Sequence, residues 1–313
     1  MSHQNTLIVI VGPTGIGKTA LSIALATYYN CEIVSCDSRQ FFKEMTIGTA
    51  VPSKDELQKV PHHFIQNKSI FENYSVGNFE KEVIKKLDEL FLKNTIQIMV
   101  GGSGLYVNSI IKGLDNFPDI DAMVRHQINT EYEQFGIEYL QQKLLRLDPI
   151  YHDFLTNTNP QTLQNPQRML RFLEVCIGTE KPYSSFLKNN DHKRNFNTVI
   201  IGLEADREII YRRINQRVDQ MVAGGLVQEA QNLYEYRNLN ALQTVGYREL
   251  FEFLDNNCTL DFAIDEIKKN TRRFSKRQLT WFKRTENVFW FDYKTDVSKI
   301  IEKINFEIKK VLE

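Results

Sequence analysis

One octapeptide constrains the fold of this chain more than any other feature of the sequence. It fits the pattern GxxxxGK followed by Ser or Thr, and its residues are Gly12, Pro13, Thr14, Gly15, Ile16, Gly17, Lys18 and Thr19. A β-rich apolar run precedes it and a helical pattern follows it, which is the context of a phosphate-binding loop. Backbone N–H groups, the helix N-terminus and Lys18 would converge on phosphate oxygens, and the Thr19 hydroxyl can reach Mg²⁺. The octapeptide predicts diphosphate binding but not nucleotide hydrolysis, because it reads phosphates and not the group attached to them.

Short apolar runs alternate with helical patterns along most of the chain. The predicted strands are Leu7 to Val11, Glu32 to Ser35, Ile96 to Val100, Thr198 to Leu203 and Val288 to Tyr293. Such alternation predicts an α/β fold, with a parallel sheet of the phosphate-binding-loop (P-loop) type flanked by helices. Between residues 118 and 195 we find only helical patterns. We therefore predict an all-helical domain of residues 118–195, inserted into a core of residues 1–117 and 196–313.

Composition says more about the location of the protein than about its partners. Lys and Arg number 39 and so do Asp and Glu, so the net charge indicates no class of partner. No stretch approaches the roughly 18 uncharged apolar residues of a membrane span, and the first residues do not have the pattern of a signal peptide. We expect a cytoplasmic monomer with no membrane partner. The four cysteines form no CxxC pair, so we expect reduced thiols.

Two further positions follow predicted strands, where parallel sheets place their sites. Gly101 to Tyr106 contains a second glycine loop that opens a helix, and it is either part of a site or an ordinary strand-to-helix turn. Asp37 follows the second strand and could hold Mg²⁺ or act as a general base. Position alone does not choose between these two roles.

Three groups of basic residues are candidates for contacts with RNA or with diphosphate. They are Arg168 with Arg171, Arg213 with Arg217, and the eight cations of residues 268–284. The members of each pair lie three or four residues apart, so they share a helix face. The third group has no acidic residue and interleaves its cations with aromatic residues, an arrangement that can grip an RNA backbone and stack bases. A solvated helix face is the usual explanation for each arginine pair. A buried aromatic stripe is the alternative for the third group, and composition leaves that choice open.

Eight segments together resemble the tRNA dimethylallyltransferases, the prenyl-transfer enzymes that modify adenosine in tRNA. In chain order they are GPTGIGKT, EIVSCDSRQFFKEMTIGTAVP, PHHFI, YSVGNF, MVGGSGLYV, NPQRMLRFLEV, QTVGYREL and TRRFSKRQLTWFKR. No single segment identifies the family, but eight segments in the order of the family are highly specific. Together they extend over nearly the whole chain. The departures are small: Ile16 stands where Ser is usual, Ser103 replaces Thr, and Asn165 replaces Asp. The zinc finger of eukaryotic members is absent.

The resemblance implies a reaction and the groups that catalyse it. Dimethylallyl diphosphate would give its five-carbon group to N6 of the adenosine on the 3′ side of the anticodon. Asp37 would accept the proton of the amino group as the new bond forms. Residues 12–19, Lys18, Arg217 and a Mg²⁺ cofactor on Thr19, bound directly or through water, would neutralise the leaving diphosphate.

The resemblance also implies a surface that binds the anticodon stem-loop of tRNA. The residues expected to touch it are Asp37, Ser38, Arg39, Gln40, Ser103, Arg125, Gln167, Arg168, Met169, Leu170 and Arg171. The target base must leave its stack to reach a diphosphate in the core. The insertion at residues 118–195 would then clamp the RNA.

Three other functions fit parts of the sequence. An ATP-dependent P-loop kinase would use the same phosphate-binding loop, and a prenyltransferase acting on free adenine nucleotides would use the same donor. The helical insertion and the basic segment favour tRNA over free nucleotides. A non-catalytic RNA-binding module would leave the phosphate-binding loop without a purpose.

Overall fold

The structure is a computed structural model that describes residues 5–187 and 193–312. Residues 188–192, which belong to the predicted insertion, lie outside the described part of the chain. The chain divides into two compact units. The first comprises Met1–Gly113 and Lys193–Glu313, and the second comprises Leu114–His192, which begins and ends a few residues before the predicted insertion.

A parallel sheet forms the centre of the first unit. Its strands are β1 (Thr6–Val11), β2 (Ile33–Ser35), β3 (His62–His63), β4 (Ile96–Val100), β5 (Asn197–Glu204) and β6 (Val288–Asp292). They lie side by side in the order β3-β2-β4-β1-β5-β6, and every pairing is parallel. The predicted α/β fold with a P-loop-type sheet is confirmed. The two-residue strand β3 was not predicted, because two residues are too few to display strand periodicity.

Helices cover both faces of this sheet and build the second unit. Those of the described residues are α1 (Lys18–Tyr29), α2 (Lys54–Lys59), α3 (Val76–Phe91), α4 (Gly104–Ile111), α5 (Ala122–Leu147), α6 (Pro149–Thr158), α7 (Pro166–Thr179), α8 (Arg207–Ala223), α9 (Leu226–Leu233), α10 (Tyr247–Leu254), α11 (Leu260–Lys283) and α12 (Val297–Leu312). Across the described ranges, none combines the length and apolar character needed to cross a membrane.

The two faces of β1 bury separate sets of apolar side chains. Alternate residues of a strand point to opposite faces, so Leu7 and Val9 pack with α3 while Ile8 and Ile10 pack with α1 and α12. All four are completely buried. A strand held on both sides in this way fixes the start of the phosphate-binding loop, which follows Val11.

The second unit packs α5, α6 and α7 around an apolar core, and its described residues contain no strand. Gly136 interrupts α5 with a φ of 75°, a left-handed conformation that glycine tolerates. The buried Asp148 carboxylate accepts hydrogen bonds from the Tyr151 amide at 3.0 Å and the Ser184 amide at 2.7 Å. As its sequence predicts, Asn165 caps α7 by accepting the Arg168 amide at 3.2 Å.

Candidate active site

A cavity of about 550 Å³ lies at the carboxyl ends of the sheet strands in the first unit. The segments that follow β1, β2 and β4 form part of its wall, and α8 contributes another part. Its lining includes Thr14, Gly15, Gly17, Lys18, Thr19, Asp37, Gln40, Gly101, Arg213 and Arg217. Most residues of the phosphate-binding loop thus share one cavity with Asp37, where a parallel sheet places its ligand.

The phosphate-binding loop turns sharply because its glycines adopt backbone angles that other residues avoid. Gly17 precedes α1 with a φ of 111°, and Gly12 has a φ of 143°. A Cβ atom on Gly12 would lie 2.6 Å from the carbonyl oxygen of Leu203 on β5, so the loop requires glycine there. This close approach holds the loop against the sheet and brings the N-terminus of α1 to the cavity wall.

The ammonium group of Lys18 lies within the loop. Its Nζ donates hydrogen bonds to the carbonyl oxygens of Gly12 at 3.0 Å and Pro13 at 2.9 Å. Burial lowers the pKa of Lys18 to about 8; Asp37 opposes this shift and Arg217 adds to it. Lys18 is therefore mostly protonated at neutral pH, but it loses its charge in mildly alkaline solution.

Two arginines of α8 contact the same loop. Arg217 Nη1 donates to Thr14 Oγ1 at 3.5 Å, and Arg213 Nε donates to the Gly15 carbonyl oxygen at 2.6 Å. Burial lowers the pKa of Arg217, but an arginine remains charged at physiological pH. With Lys18, three cations surround the loop, a charge distribution that suits a diphosphate. The sequence favoured a solvated face for the arginine pair, whereas both guanidinium groups line the cavity.

The residues of the octapeptide differ in the groups that they can offer to a diphosphate. The Ile16 side chain is 1% exposed and packs in the apolar core. Pro13 has no N–H group, and the Thr14 amide donates instead to Gln278 Oε1 at 2.9 Å. The eight-residue diphosphate site stays a prediction; within it, the Ile16 side chain, the Pro13 nitrogen and the Thr14 amide are not the groups that would bind a phosphate.

Asp37 is joined to the second glycine loop through its neighbour. Its Oδ1 accepts a hydrogen bond from the Arg39 amide at 3.1 Å. The Ser103 hydroxyl accepts the Ser38 amide at 3.2 Å and lies 3.1 Å from the Ser38 hydroxyl. The second glycine loop is therefore part of the site and not only a turn.

Arg39 and Gln40, which follow in the same segment, have structural contacts. The Arg39 guanidinium lies 4.2 Å from the ring centroid of Phe274 on α11. Gln40 Nε2 donates to the carbonyl oxygens of Thr49 at 3.3 Å and Ala50 at 2.9 Å. The Gln40 amide thus supports residues 49–52, which form another part of the cavity wall.

The carboxylate of Glu229 holds the backbone immediately before residues 49–52 of the cavity wall. Glu229 on α9 accepts hydrogen bonds from the amides of residues 46–48, at shortest distances of 3.0, 2.8 and 2.9 Å. Its Oε1 also accepts the hydroxyl of the buried Tyr247 at 2.7 Å. A Cβ atom on Gly48 would lie 2.7 Å from the Tyr247 ring, so the backbone passes directly over that ring.

Gln278 of α11 connects the two glycine loops. Its Oε1 accepts the Thr14 amide at 2.9 Å, and its Nε2 donates to the Gly102 carbonyl oxygen at 2.9 Å. The side chain is buried, and a Cβ atom on Gly102 would lie only 2.1 Å from its Nε2. The side-chain amide of Gln278 on α11 therefore points inward and fixes both glycine loops beside the cavity.

The aromatic residues of the basic segment have three different environments. Phe282 is completely buried. Phe274 lies beneath the guanidinium groups of Arg39 and Arg277, at 4.2 and 5.6 Å from its ring centroid. Trp281 is 40% exposed. The alternative of aromatic residues buried in the core therefore holds for Phe282. Trp281, in contrast, is a partly exposed aromatic residue among cations.

The residues of α7 that were expected to contact RNA separate into exposed and buried sets. Gln167 and Arg168 are exposed. Met169 and Leu170 are 0% and 2% exposed and belong to the apolar core of the second unit. The expected RNA contact is therefore wrong for the side chains of Met169 and Leu170, because the helical period turns them inward.

Arg125 and Arg171 share one carboxylate. Arg125 Nη1 lies 2.9 Å from Glu174 Oε2, and Arg171 Nη1 lies 3.5 Å from Glu174 Oε1. Glu174 itself is buried, whereas the two arginine side chains stay 44% and 39% exposed. These arginines stabilise the second unit and still present part of their surface to a partner.

Three residues in or beside the cavity were not singled out from the sequence. Gln278 lies within the quoted segment TRRFSKRQLTWFKR and Glu229 lies in none of the quoted segments, and both act through distant contacts. His62 also lines the cavity. Its Nδ1 lies 2.7 Å from the Val60 carbonyl oxygen, while its buried Nε2 has no hydrogen-bond partner within the described residues. Burial lowers the pKa of His62, so its ring is neutral at physiological pH.

The oxygen donors of the cavity suit Mg²⁺. Thr19, Asp37 and Glu56 line it together. The part of the chain that the structure describes contains no cluster of three His, Cys, Asp or Glu side chains that could hold a metal. Mg²⁺ commonly binds through one or two protein oxygens, water and substrate phosphates, so this sparse donor set fits it. The four cysteines are free thiols, and none lies within such a cluster.

Comparison with known proteins identifies relatives along nearly the whole chain. Residues 40–285 match the IPP transferase family. The chain is 68% identical over 306 residues to the tRNA dimethylallyltransferase of Flavobacterium psychrophilum, which covers 98% of this chain and 100% of that protein. It is 44% identical over 286 residues to tRNA dimethylallyltransferase 1 of Bacteroides fragilis, covering 91% and 93% of the two chains.

Solved structures share the fold. The tRNA isopentenylpyrophosphate transferase of Bacillus halodurans superposes with a TM-score of 0.71 at 38% identity, covering 98% of this chain and 97% of that one. A eukaryotic dimethylallyltransferase acting on tRNA superposes with a TM-score of 0.78 at 27% identity, covering 94% and 75%.

Proposed function

Since the chain belongs to the IPP transferase family, we propose that it transfers a dimethylallyl group from dimethylallyl diphosphate to tRNA. The acceptor is N6 of the adenosine on the 3′ side of the anticodon, and diphosphate is released. The observation that carries this proposal is one cavity in which three cations and Asp37 meet. The reaction needs these two kinds of group together, because a diphosphate leaves with negative charge while an amine loses a proton.

The cations act on the leaving group. As the allylic C–O bond breaks, its electron pair and the growing negative charge go to the diphosphate. Lys18, Arg213 and Arg217 neutralise this charge, and their contacts with the loop fix them before the reaction starts. Preorganised charge of this kind is usually the largest single contribution to catalysis. A Mg²⁺ ion held by Thr19, directly or through water, would add further positive charge there.

Asp37 acts on the nucleophile. The adenine amino group is a poor nucleophile, so a proton acceptor must assist it as the C–N bond forms. Asp37 accepts that proton, while the Arg39 amide orients its carboxylate. A carboxylate has further acceptor capacity beyond this one hydrogen bond, so it can still face the incoming amine.

A small pocket beside the cavity has one apolar wall, which suits the five-carbon group. The pocket shares Thr14, Asp37 and Arg217 with the cavity. The remainder of its wall includes the apolar side chains of Ile214, Val218, Met221, Leu226 and Ile267. A dimethylallyl group bound there lies between the diphosphate cations and the proton acceptor. The apolar wall also keeps water away from the reactive allylic carbon.

The RNA partner of the proposal is the anticodon stem-loop. Exposed Gln167 and Arg168 and the part-exposed Arg125 and Arg171 give the second unit a polar, positively charged surface for it, and this unit clamps the RNA. We place the enzyme in the cytoplasm, where tRNA is modified, and propose that it acts as a monomer.

A direct assay tests this function. The purified protein is incubated with dimethylallyl diphosphate, Mg²⁺ and an anticodon stem-loop, and the digested nucleosides are analysed by mass spectrometry. We expect a single dimethylallyl adduct on the adenosine beside the anticodon, and none when guanosine replaces it. An adduct formed only on free AMP or ATP would point to the nucleotide prenyltransferase. Transfer of phosphate from ATP without prenylation would point to a kinase.

A further inference from the structure

We propose that Trp281 is the stacking surface for a nucleotide that flanks the target adenosine, an inference that rests on the proposed function. A base that leaves its stack deprives its neighbours of a partner, and an aromatic side chain can replace that partner. Among the three aromatic residues of the basic segment, Trp281 is the one that offers an open face, with 40% exposure. Phe282 is buried, and Phe274 already lies beneath two arginines.

The position of Trp281 links it to the proton acceptor. Its indole lies directly against Gly104, where a Cβ atom would come within 2.3 Å of the ring. The preceding residue, Ser103, contacts the Ser38 amide at 3.2 Å, and Ser38 is the neighbour of Asp37. The second glycine loop thus joins the stacking surface to the catalytic carboxylate. On this basis we assign the base stacked on Trp281 to a neighbour of the base presented to Asp37.

The helix that carries Trp281 is rigid at this point. Gln278, one turn earlier, is buried and bonded to both glycine loops, and Phe282 anchors the next position in the core. A ring fixed before binding loses little conformational freedom when a base stacks on it.

Charge selects RNA over a protein as the occupant of this surface. Arg277 and Arg284, four residues before and three residues after Trp281, share its helix face and are both exposed. Lys268 and Lys283 of the same segment are paired with Asp219 and Glu204, whereas Arg277 and Arg284 have no ion pair among the described residues. An exposed aromatic between two such arginines complements a base with phosphates on either side.

Substitution at this position and at a matched control tests the proposal. Trp281→Ala should weaken binding of the anticodon stem-loop roughly five- to 150-fold, the range that the loss of one stacked base implies. Trp281→Phe should lose less, because a smaller aromatic face remains. Phe262→Ala is the control, since Phe262 is 56% exposed on the same helix but precedes the basic segment. Affinity for inorganic pyrophosphate should stay unchanged in all three variants, which shows that each still folds around an intact phosphate-binding loop.

Abasic RNA identifies the stacked base. Stem-loops that lack the base on the 5′ or on the 3′ side of the target adenosine should bind the wild-type protein more weakly at one of the two positions. The Trp281→Ala protein should bind that same abasic RNA almost as tightly as it binds the intact stem-loop, because the indole that would stack on the base is already absent. The inference is overturned if Trp281→Ala binds the intact stem-loop as tightly as the wild-type protein does. It is also overturned if the losses from Trp281→Ala and from each abasic change simply add, or if the protein self-associates through Trp281. Prenyl transfer by the wild-type protein, measured in parallel, shows separately whether the proposed function holds.

Discussion

The side-chain oxygen of Gln278 accepts the backbone amide of Thr14 at 2.9 Å across 264 residues of sequence. The same side chain donates to Gly102, so one amide on α11 sets the position of both glycine loops. The phosphate-binding loop is therefore shaped from outside, by a helix near the other end of the chain.

Gln278→Glu tests this control of loop geometry. The substitution keeps an acceptor for Thr14 but places a carboxylate oxygen against the Gly102 carbonyl. We expect about 1–3 kcal/mol of lost stability, the usual cost of a buried unsatisfied group. Displacement of the loops should also slow single-turnover prenyl transfer by at least about tenfold. Urea unfolding and single-turnover kinetics measure both effects, with Gln231→Glu on the exposed side of α9 as the control. Unaltered turnover in Gln278→Glu would show that the bridge does not position the site.

Asp37→Asn should slow prenyl transfer roughly 10²- to 10⁴-fold, the usual loss when a general base is removed. Asparagine retains an oxygen that can accept the Arg39 amide, so the local shape and RNA affinity should change little. Asp55→Asn, which alters an exposed carboxylate of α2 outside the cavity lining, serves as the control. Near-normal turnover of Asp37→Asn would assign Asp37 a structural or metal-binding role instead.

Binding of diphosphate should weaken as the pH rises through about 8. The anion favours protonated Lys18, whose pKa burial lowers to about 8 in the free protein. The contribution of Lys18 is therefore complete well below that pH and declines above it. Calorimetric titration with inorganic pyrophosphate from pH 6.5 to 9.5 measures the effect. Subtracting the profile of Lys18→Met removes the titration of pyrophosphate itself, and a flat difference would contradict the assignment.

Substitutions of the Glu229–Tyr247 pair should separate stability from ligand affinity. Tyr247→Phe removes one hydrogen bond but keeps the ring against Gly48, so we expect a loss of about 1 kcal/mol. Glu229→Ala leaves the amides of residues 46–48 without their acceptor and should cost more. It should also raise the KM for dimethylallyl diphosphate, because residues 49–52 line the cavity. Glu235→Ala, an exposed residue nearby in sequence, should change neither value.

The arginines of α7 should behave differently from each other. Arg168 is exposed and bonded to the Thr162 hydroxyl at 2.9 Å, so Arg168→Ala should weaken tRNA binding and reduce its salt dependence by roughly one unit of slope. Arg171, like Arg125, is paired with the buried carboxylate of Glu174, so Arg171→Ala should also lower the melting temperature. Filter binding at several salt concentrations and thermal melts distinguish them. Equal melting temperatures for the two variants would contradict this difference.

The sequence predicted the elements that repeat a local pattern. Five strands were found because each is a run of apolar residues, and the phosphate-binding loop was found because its spacing is nearly unique. Position and helix spacing singled out Asp37 and Arg217, but only the resemblance assigned each a role, since a lone Asp after a strand and an arginine on a helix have ordinary explanations. Both line the cavity.

The residues that sequence reasoning missed are those that act through distant contacts. Glu229 meets residues 46–48 more than 180 residues away, and no local pattern marks such a partner. Met169 and Leu170 show a different limit, because the resemblance carried over residues 167–171 as one set without regard to helical phase. Helical phase decides which residues of NPQRMLRFLEV face outward, and that phase turns these two into the core.

The long-range bridge between Thr14 and Gln278 has a consequence for synthesis of the protein. The ribosome makes the phosphate-binding loop first and its support on α11 last. A nascent chain therefore carries the glycine pattern long before it can hold the loop in its working shape. Messages cut short anywhere before codon 278 would yield products that cannot act on tRNA, however complete their N-terminal sheet. Activity is thus withheld until translation has passed α11.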